Sequence, residues 1–164
     1  VKSLLDRDVR ISLDATALVN YILPLLSGKN VVVTPHAGEF KRMFGDNPPE
    51  SKKARITMVE KTAKEYSITI LLKGPIDIIS NGTITYLNPT NTPGMTVGGT
   101  GDVLSGVIAG MLARNRNGLE SAVISTYFNG LAGKITQKKL GLHMTATDLL
   151  DALPGVMKPF DKIK

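Results

Sequence analysis

Two short apolar runs open the chain, VRISLDA at 9–15 and NVVVTP at 30–35, each rich in β-branched residues and each halted by turn formers. Between them, LVNYILPLLSGK at 18–29 spaces its apolar positions as a helix does until Pro24 and Gly28 intervene. The pattern predicts strand, short helix, strand. After HAGEF the helical spacing continues through KRMF, and Pro48 and Pro49 mark a loop. ARITMVEKTAKEY at 54–66 then sets Ile56, Val59, Ala63 and Tyr66 at helical spacing. SITILLKG at 67–74 reads as a buried strand, expected at the centre of a sheet. IDIISNGTITYLN at 76–88 predicts two strands around Asn81-Gly82, a pair suited to the positive φ angles of a type I′ turn. This hairpin is the one clear antiparallel element.

Further on, Val103, Leu104, Val107, Ile108, Met111 and Leu112 form a broad apolar helical face, which places a helix start near Asp102. LESAVISTYFNGLAGKITQK at 119–138 and TATDLLDAL at 145–153 predict two more helices, the second capped by Thr145 or Thr147. Strands alternating with helices specify an α/β fold: a mainly parallel sheet flanked by helices on both faces. Ligands of such sheets collect beyond the carboxyl ends of the strands, here the loops after Asp14, Thr34 and Lys73. With no repeat, linker or low-complexity stretch, residues 1–164 read as a single domain.

Composition narrows the chemistry. There is no cysteine, which excludes disulfides and thiolate catalysis, and a reducing, cytoplasmic location is the expectation. The longest apolar stretches fall well short of the ~20 residues a bilayer crossing needs, so no membrane partner is expected. A net charge of +6 favours anionic ligands. With four tyrosines, four phenylalanines, no tryptophan and no basic run interleaved with rings, nucleic acid is not the expected partner, whereas phosphorylated small molecules suit the charge. No G-x-x-x-x-G-K-[ST] loop occurs, and GTGDVL lacks the last small residue of the dinucleotide fingerprint. Only two histidines are present and no G-x-S-x-G elbow, which removes structural zinc and serine hydrolysis.

The candidate chemistry centres on TVGGTGDVLSGVIAGMLA at 96–113. As a helix cap alone Asp102 would contribute about 1 kcal/mol, but a cap does not call for Gly98, Gly99 and Gly101 around it. Glycines at a helix start bare their amides, and such amides attract phosphate. A carboxylate beside a bound anion is electrostatically uphill unless it takes a proton, the role of a base that deprotonates a hydroxyl attacking a phosphoryl group. In TPHAGEF, His36 and Glu39 stand three apart at a helix start and can share a face that holds a phosphate, a substrate oxygen or hydrated Mg²⁺. Their bland alternative is a surface histidine and a glutamate that complements the helix dipole. In LLKGPID, Lys73 can reach a diphosphate while Gly74 lets the backbone approach it.

Taken in order and spacing, LDATAL, TPHAGEF, LLKGPIDII, GTITYLNPTNTPGMTVGGTGDVLSGVIAGMLA and TATDLLDALP resemble the ADP- or ATP-dependent NAD(P)H-hydrate dehydratases of the ribokinase-like superfamily. The resemblance runs from about Leu13 to Pro154. It implies a lyase on a kinase fold, which restores NADH or NADPH from its hydrated S form while ADP or ATP gives up its terminal phosphate. Asp102 would then activate the C6 hydroxyl of the hydrated ring for phosphorylation, and phosphate would leave as the double bond re-forms. Position by position, the resemblance assigns His36 and Asp102 to the hydrated substrate. It assigns Lys73, Gly74, Pro75, Ile76 and Asp77, with Gly99, Thr100 and Gly101, to the adenine nucleotide, and Glu39 to Mg²⁺ and phosphate. Three positions depart from the family pattern: Thr16 replaces a frequent aspartate, Ala37 a frequent proline, and Asn129 a frequent histidine. The family's glycine-rich N-terminal portion is not among these residues, so a longer native chain is expected, and a homo-oligomer is left open. Two alternatives remain: a small-molecule kinase for a thiazole, pyrimidine or sugar alcohol, and a nucleotide-binding module without turnover.

Overall fold

The computed structural model describes residues 1–7, 9–114 and 117–161. In chain order the regular elements are α1 (Lys2–Leu5), β1 (Ile11–Leu13), α2 (Leu23–Leu26), β2 (Val31–Val33), α3 (Ala37–Phe44), α4 (Lys52–Tyr66), β3 (Thr69–Leu72), β4 (Asp77–Ser80), β5 (Thr85–Asn88), α5 (Thr100–Ala113), α6 (Gly118–Leu140) and α7 (Ala146–Met157). One five-stranded sheet carries the order β1-β2-β3-β4-β5, with β3 at its centre as its unbroken apolar run predicts.

The sheet is mixed. β1 pairs with β2 and β2 with β3 in parallel, whereas β3–β4 and β4–β5 are antiparallel. The expected hairpin is therefore not the one antiparallel element. Lys73–Ile76 reverses the chain tightly enough for Leu72 to pair with Ile78, so no crossover helix is needed there. The turn after β4 also differs from expectation. Asn81 is not in the positive-φ region; Gly82 is, with φ 85°, so the two consecutive positive φ angles of a type I′ turn at Asn81-Gly82 are not formed. Asn81 instead uses its side-chain oxygen to accept from the Thr83 and Ile84 amides at 3.0 and 2.9 Å.

Alternation along the strands divides the core. Val31, Val33, Ile70 and Leu72 face a layer that includes Phe40, Met43, Val59 and Ala63 from α3 and α4. Val32, Leu71 and Ile79 face Leu104, Ile108 and Leu112 of α5 and Leu119 and Ala122 of α6. The apolar face of α5 is broad because it serves two neighbours: Leu104, Ile108 and Leu112 meet the sheet, while Val103, Val107 and Met111 meet the α6–α7 cluster around Phe128, Leu149 and Leu153. The segment after β1 is broken into a 3-10 turn at Asn20–Ile22 and the short α2, since Pro24 has no amide hydrogen to continue a helix from upstream. α1, a single turn before β1, is not legible in the apolar spacing. No helix among the described residues is long and apolar enough to cross a membrane.

Candidate active site

β1, β2 and β3 run parallel and release their chain ends side by side, so Asp14, Thr34 and Lys73 emerge together although they are far apart in sequence. Backbone contacts lock the three ends. The Thr34 amide and hydroxyl both donate to the Leu13 carbonyl at 3.1 Å, and the Lys73 amide donates to the Pro35 carbonyl at 2.8 Å.

On that frame sits an ion cluster. Lys73 Nζ donates to Asp14 Oδ1 at 2.7 Å and lies 3.6 Å from Glu39 Oε2. Asp14 is further fixed by accepting from the Ala15 amide at 2.9 Å. Its position after a strand is legible in the sequence, but its pairing with Lys73 is not, because 59 residues separate them.

His36 and Glu39 open α3 as a reciprocal capping box. His36 Nδ1 accepts from the Gly38 and Glu39 amides at 3.0 and 3.2 Å, and Glu39 Oε2 accepts from the His36 amide at 2.8 Å. Nδ1 is committed as acceptor, and Nε2 lies 3.5 Å from Glu39 Oε1 on a side chain that is 60 % exposed. Glu39 is buried and turns its carboxylate toward both His36 and Lys73.

The glycine stretch departs from expectation in where the helix begins. α5 starts at Thr100, with Gly99 as N-cap at φ 91°, so Asp102 is the third helical residue and not the cap. No side chain caps this end, which leaves first-turn amides without intrahelical partners. Gly101 matters for closeness: a Cβ there would stand 3.3 Å from both Asp14 Oδ2 and Lys73 Nζ. Gly98 has open space around it and is not required by packing. The Thr100 hydroxyl is spent on the Met95 and Val97 carbonyls at 2.7 and 3.0 Å, fastening the loop to the helix.

Two clefts open at this end of the sheet, and Gly101 lines the first of them. One, of about 510 Å³, is lined by His36, Lys73, Gly74, Pro75, Asp77, Asn91, Thr92, Thr100, Gly101 and Asn129 together with apolar Pro93, Met95 and Leu104. The other, of about 370 Å³, is shallower and lined by Asp14, Asp102, Ser12, Ser105 and small apolar residues. Asp102 is exposed there, unsealed by packing. β1 holds α5 beside it through the Ser12–Ser105 hydroxyl pair at 2.9 Å, and Arg10, just before β1, donates to the Leu112 carbonyl at 3.1 Å. His36 and Asp102, expected to share one substrate, thus line different clefts. Ile76 is among the lining residues of neither.

Asp77 has a supporting geometry that its sequence position does not announce. It is 2 % exposed, accepts from the Gly74 amide at 3.0 Å and from Asn88 Nδ2 at 3.2 Å, and so holds the Lys73–Gly74 turn from beneath. Asn91 donates to the Gly74 carbonyl at 2.8 Å from the opposite loop. Burial raises the Asp77 carboxyl above its ordinary value, opposed by hydrogen bonds from Gly74, Asn91 and Asn88 and by the charge of Lys73.

A Mg²⁺ ion held by one or two carboxylates plus substrate phosphates suits the pair Asp14 and Glu39. Among the described residues there is no cluster of three or more acidic, histidine or cysteine ligands, so a site formed by protein ligands alone is not built.

The fold is shared with a ribokinase-like superfamily protein from Enterococcus faecalis, on which the chain superposes with TM-score 0.77 at 24% identity, over 99% of this chain and 59% of that one. Within that fold, the family model Carb_kinase, described as NAD(P)H-hydrate dehydratase, matches residues 1–155. The chain belongs to the NAD(P)H-hydrate dehydratase family. It is 67% identical over 163 residues to the ADP-dependent (S)-NAD(P)H-hydrate dehydratase of Nitrosopumilus maritimus, covering 99% of this chain and 57% of that protein. It also superposes with TM-score 0.85 at 32% identity on the ADP/ATP-dependent NAD(P)H-hydrate dehydratase of Bacillus subtilis co-crystallized with ATP/Mg²⁺, over 96% of this chain and 57% of that one. The chain thus spans somewhat over half the length of these relatives.

Proposed function

We propose that this chain carries the phosphoryl-transfer centre of an ADP- or ATP-dependent (S)-NAD(P)H-hydrate dehydratase. The observation that carries the proposal is a pair of clefts bridged by the Lys73–Asp14 ion pair: Lys73 and Gly101 line the larger, and Asp14 and Asp102 line the shallower. The larger cleft takes the nucleotide, its terminal phosphates reaching the first-turn amides of α5 and the Lys73 ammonium. The shallower cleft takes the hydrated nicotinamide, its C6 hydroxyl toward Asp102.

Asp102 then accepts the hydroxyl proton as that oxygen bonds to the terminal phosphorus, and the bond from phosphorus to the nucleotide's bridging oxygen breaks. Phosphate later departs with the C6–O electron pair while a proton is lost from C5, and the C5–C6 double bond returns. Lys73 helps to neutralise charge on the transferred group, and Gly101 keeps the space beside the Lys73–Asp14 pair clear of side chain. Mg²⁺ held by Asp14 and Glu39 would supply charge neutralisation on the phosphates.

The test offers S-form NADPH hydrate and ADP with Mg²⁺ to the native protein and follows the return of reduced-nicotinamide absorbance. Recovery coupled to AMP and phosphate release is expected. Accumulation of a phosphorylated small molecule without that recovery would replace this proposal with the kinase alternative.

A further inference from the structure

Four buried side-chain atoms have no hydrogen-bond partner among the described residues: Thr92 Oγ1, Ser121 Oγ, Ser125 Oγ and Asn129 Oδ1. Two of these residues, Thr92 and Asn129, line the larger cleft. Asn129 is the more telling. It sits in the middle of α6, where asparagine is a weak helix former, and it is 3 % exposed. Its amide oxygen is withdrawn from water with nothing in the protein to replace the lost hydrogen bonds, a position that ordinarily weakens a fold.

The remaining walls of the cleft include Pro75, Pro93, Met95 and Leu104, flat or flexible apolar surfaces suited to the faces of a planar ring. A carboxamide presents a donor and an acceptor side by side. On the edge that carries N7, adenine offers the matching pair, an amino hydrogen and the N7 ring nitrogen, whereas guanine offers two acceptors there, O6 and N7. We infer that Asn129 is a specificity-determining residue that reads the adenine edge of the bound nucleotide: its oxygen accepts from the adenine amino group and its nitrogen donates to the neighbouring ring nitrogen. The unpartnered Thr92 hydroxyl, able to donate or accept, supplies a second polar contact within the same cleft. The inference rests on the nucleotide assignment of this cleft and deepens it.

Calorimetric titration of the full chain and of Asn129→Ala with ADP, GDP and inorganic pyrophosphate, beside the melting temperature of each protein, tests it. The variant should bind ADP roughly three- to tenfold more weakly, bind pyrophosphate as before, and lose most of its preference for ADP over GDP. Its melting temperature should hold or rise, since an unsatisfied polar group is gone. Asn129→Leu, which conserves volume, should repeat the pattern. Unchanged ADP affinity, or a parallel loss for ADP and pyrophosphate, would overturn the role of Asn129 and leave the nucleotide assignment standing. A native protein that binds pyrophosphate as well as ADP would show that no base is read. One that binds neither removes the nucleotide assignment and this inference with it.

Discussion

Asp102 and Asp77 are carboxylates with opposite circumstances. Asp102 is exposed in the first turn of α5 and makes no capping bond, so its substitution should cost little stability. Asp102→Asn is expected to keep ADP affinity by calorimetry while turnover falls about 10²- to 10⁴-fold, the usual contribution of a positioned base; full turnover in that variant would remove the proposed role. Asp77 is buried and its folded-state carboxyl holds a proton to higher pH than in the unfolded chain. Between the ordinary value of 3.8 and that raised value the native state binds more protons, so its contribution makes stability fall as pH rises through this window. Asp77→Asn should flatten that slope in urea midpoints measured at successive pH values. At this scale the glycines, His36, Glu39 and Lys73 were legible as candidates, because helix starts and strand ends are marked locally. The supporting roles of Asp77 and Asn91 were not, since each depends on a backbone group delivered by another turn.

Among the elements, the positions of α3 to α7 followed from apolar spacing, and β3 from its unbroken buried run. Strand direction did not. Side-chain alternation is the same in parallel and antiparallel pairs, and only the four residues between Leu72 and Asp77, too few for a parallel crossover, mark the reversal. The β4–β5 turn shows how a local signal can be right in kind and wrong in detail. Gly82 carries the positive φ, and a Cβ on it would lie 2.4 Å from the Lys64 backbone of α4. Gly82→Ala therefore combines left-handed strain with overpacking against main chain, and a loss of about 2–4 kcal/mol in urea unfolding is expected. A loss below about 0.5 kcal/mol, the size of an ordinary surface change, would show that α4 yields to the turn.

Over the whole molecule, the site is a product of the sheet. Lys73 reaches Asp14 from β3 to β1 across β2, and Glu39 joins from α3. Nucleotide binding should therefore stabilise the entire fold: at ADP and Mg²⁺ a hundredfold above the dissociation constant, about 2.7 kcal/mol is expected, visible as a rise in melting temperature. Lys73→Ala should lose most of that rise at the same ligand concentrations. A full rise in the variant would mean that the phosphates lie elsewhere.

The periodicity of apolar positions, the glycines at 99 and 101, and the acidic and basic residues at strand ends are local properties, and they specify an α/β fold and the candidate residues of the site. Tertiary structure alone decided that His36 and Asp102 face different clefts, that Asp14 neutralises Lys73, and that Asn129 is buried beside the larger cleft. The physical reason is that each of these depends on the distance between atoms brought together by packing, a quantity that spacing along the chain does not contain.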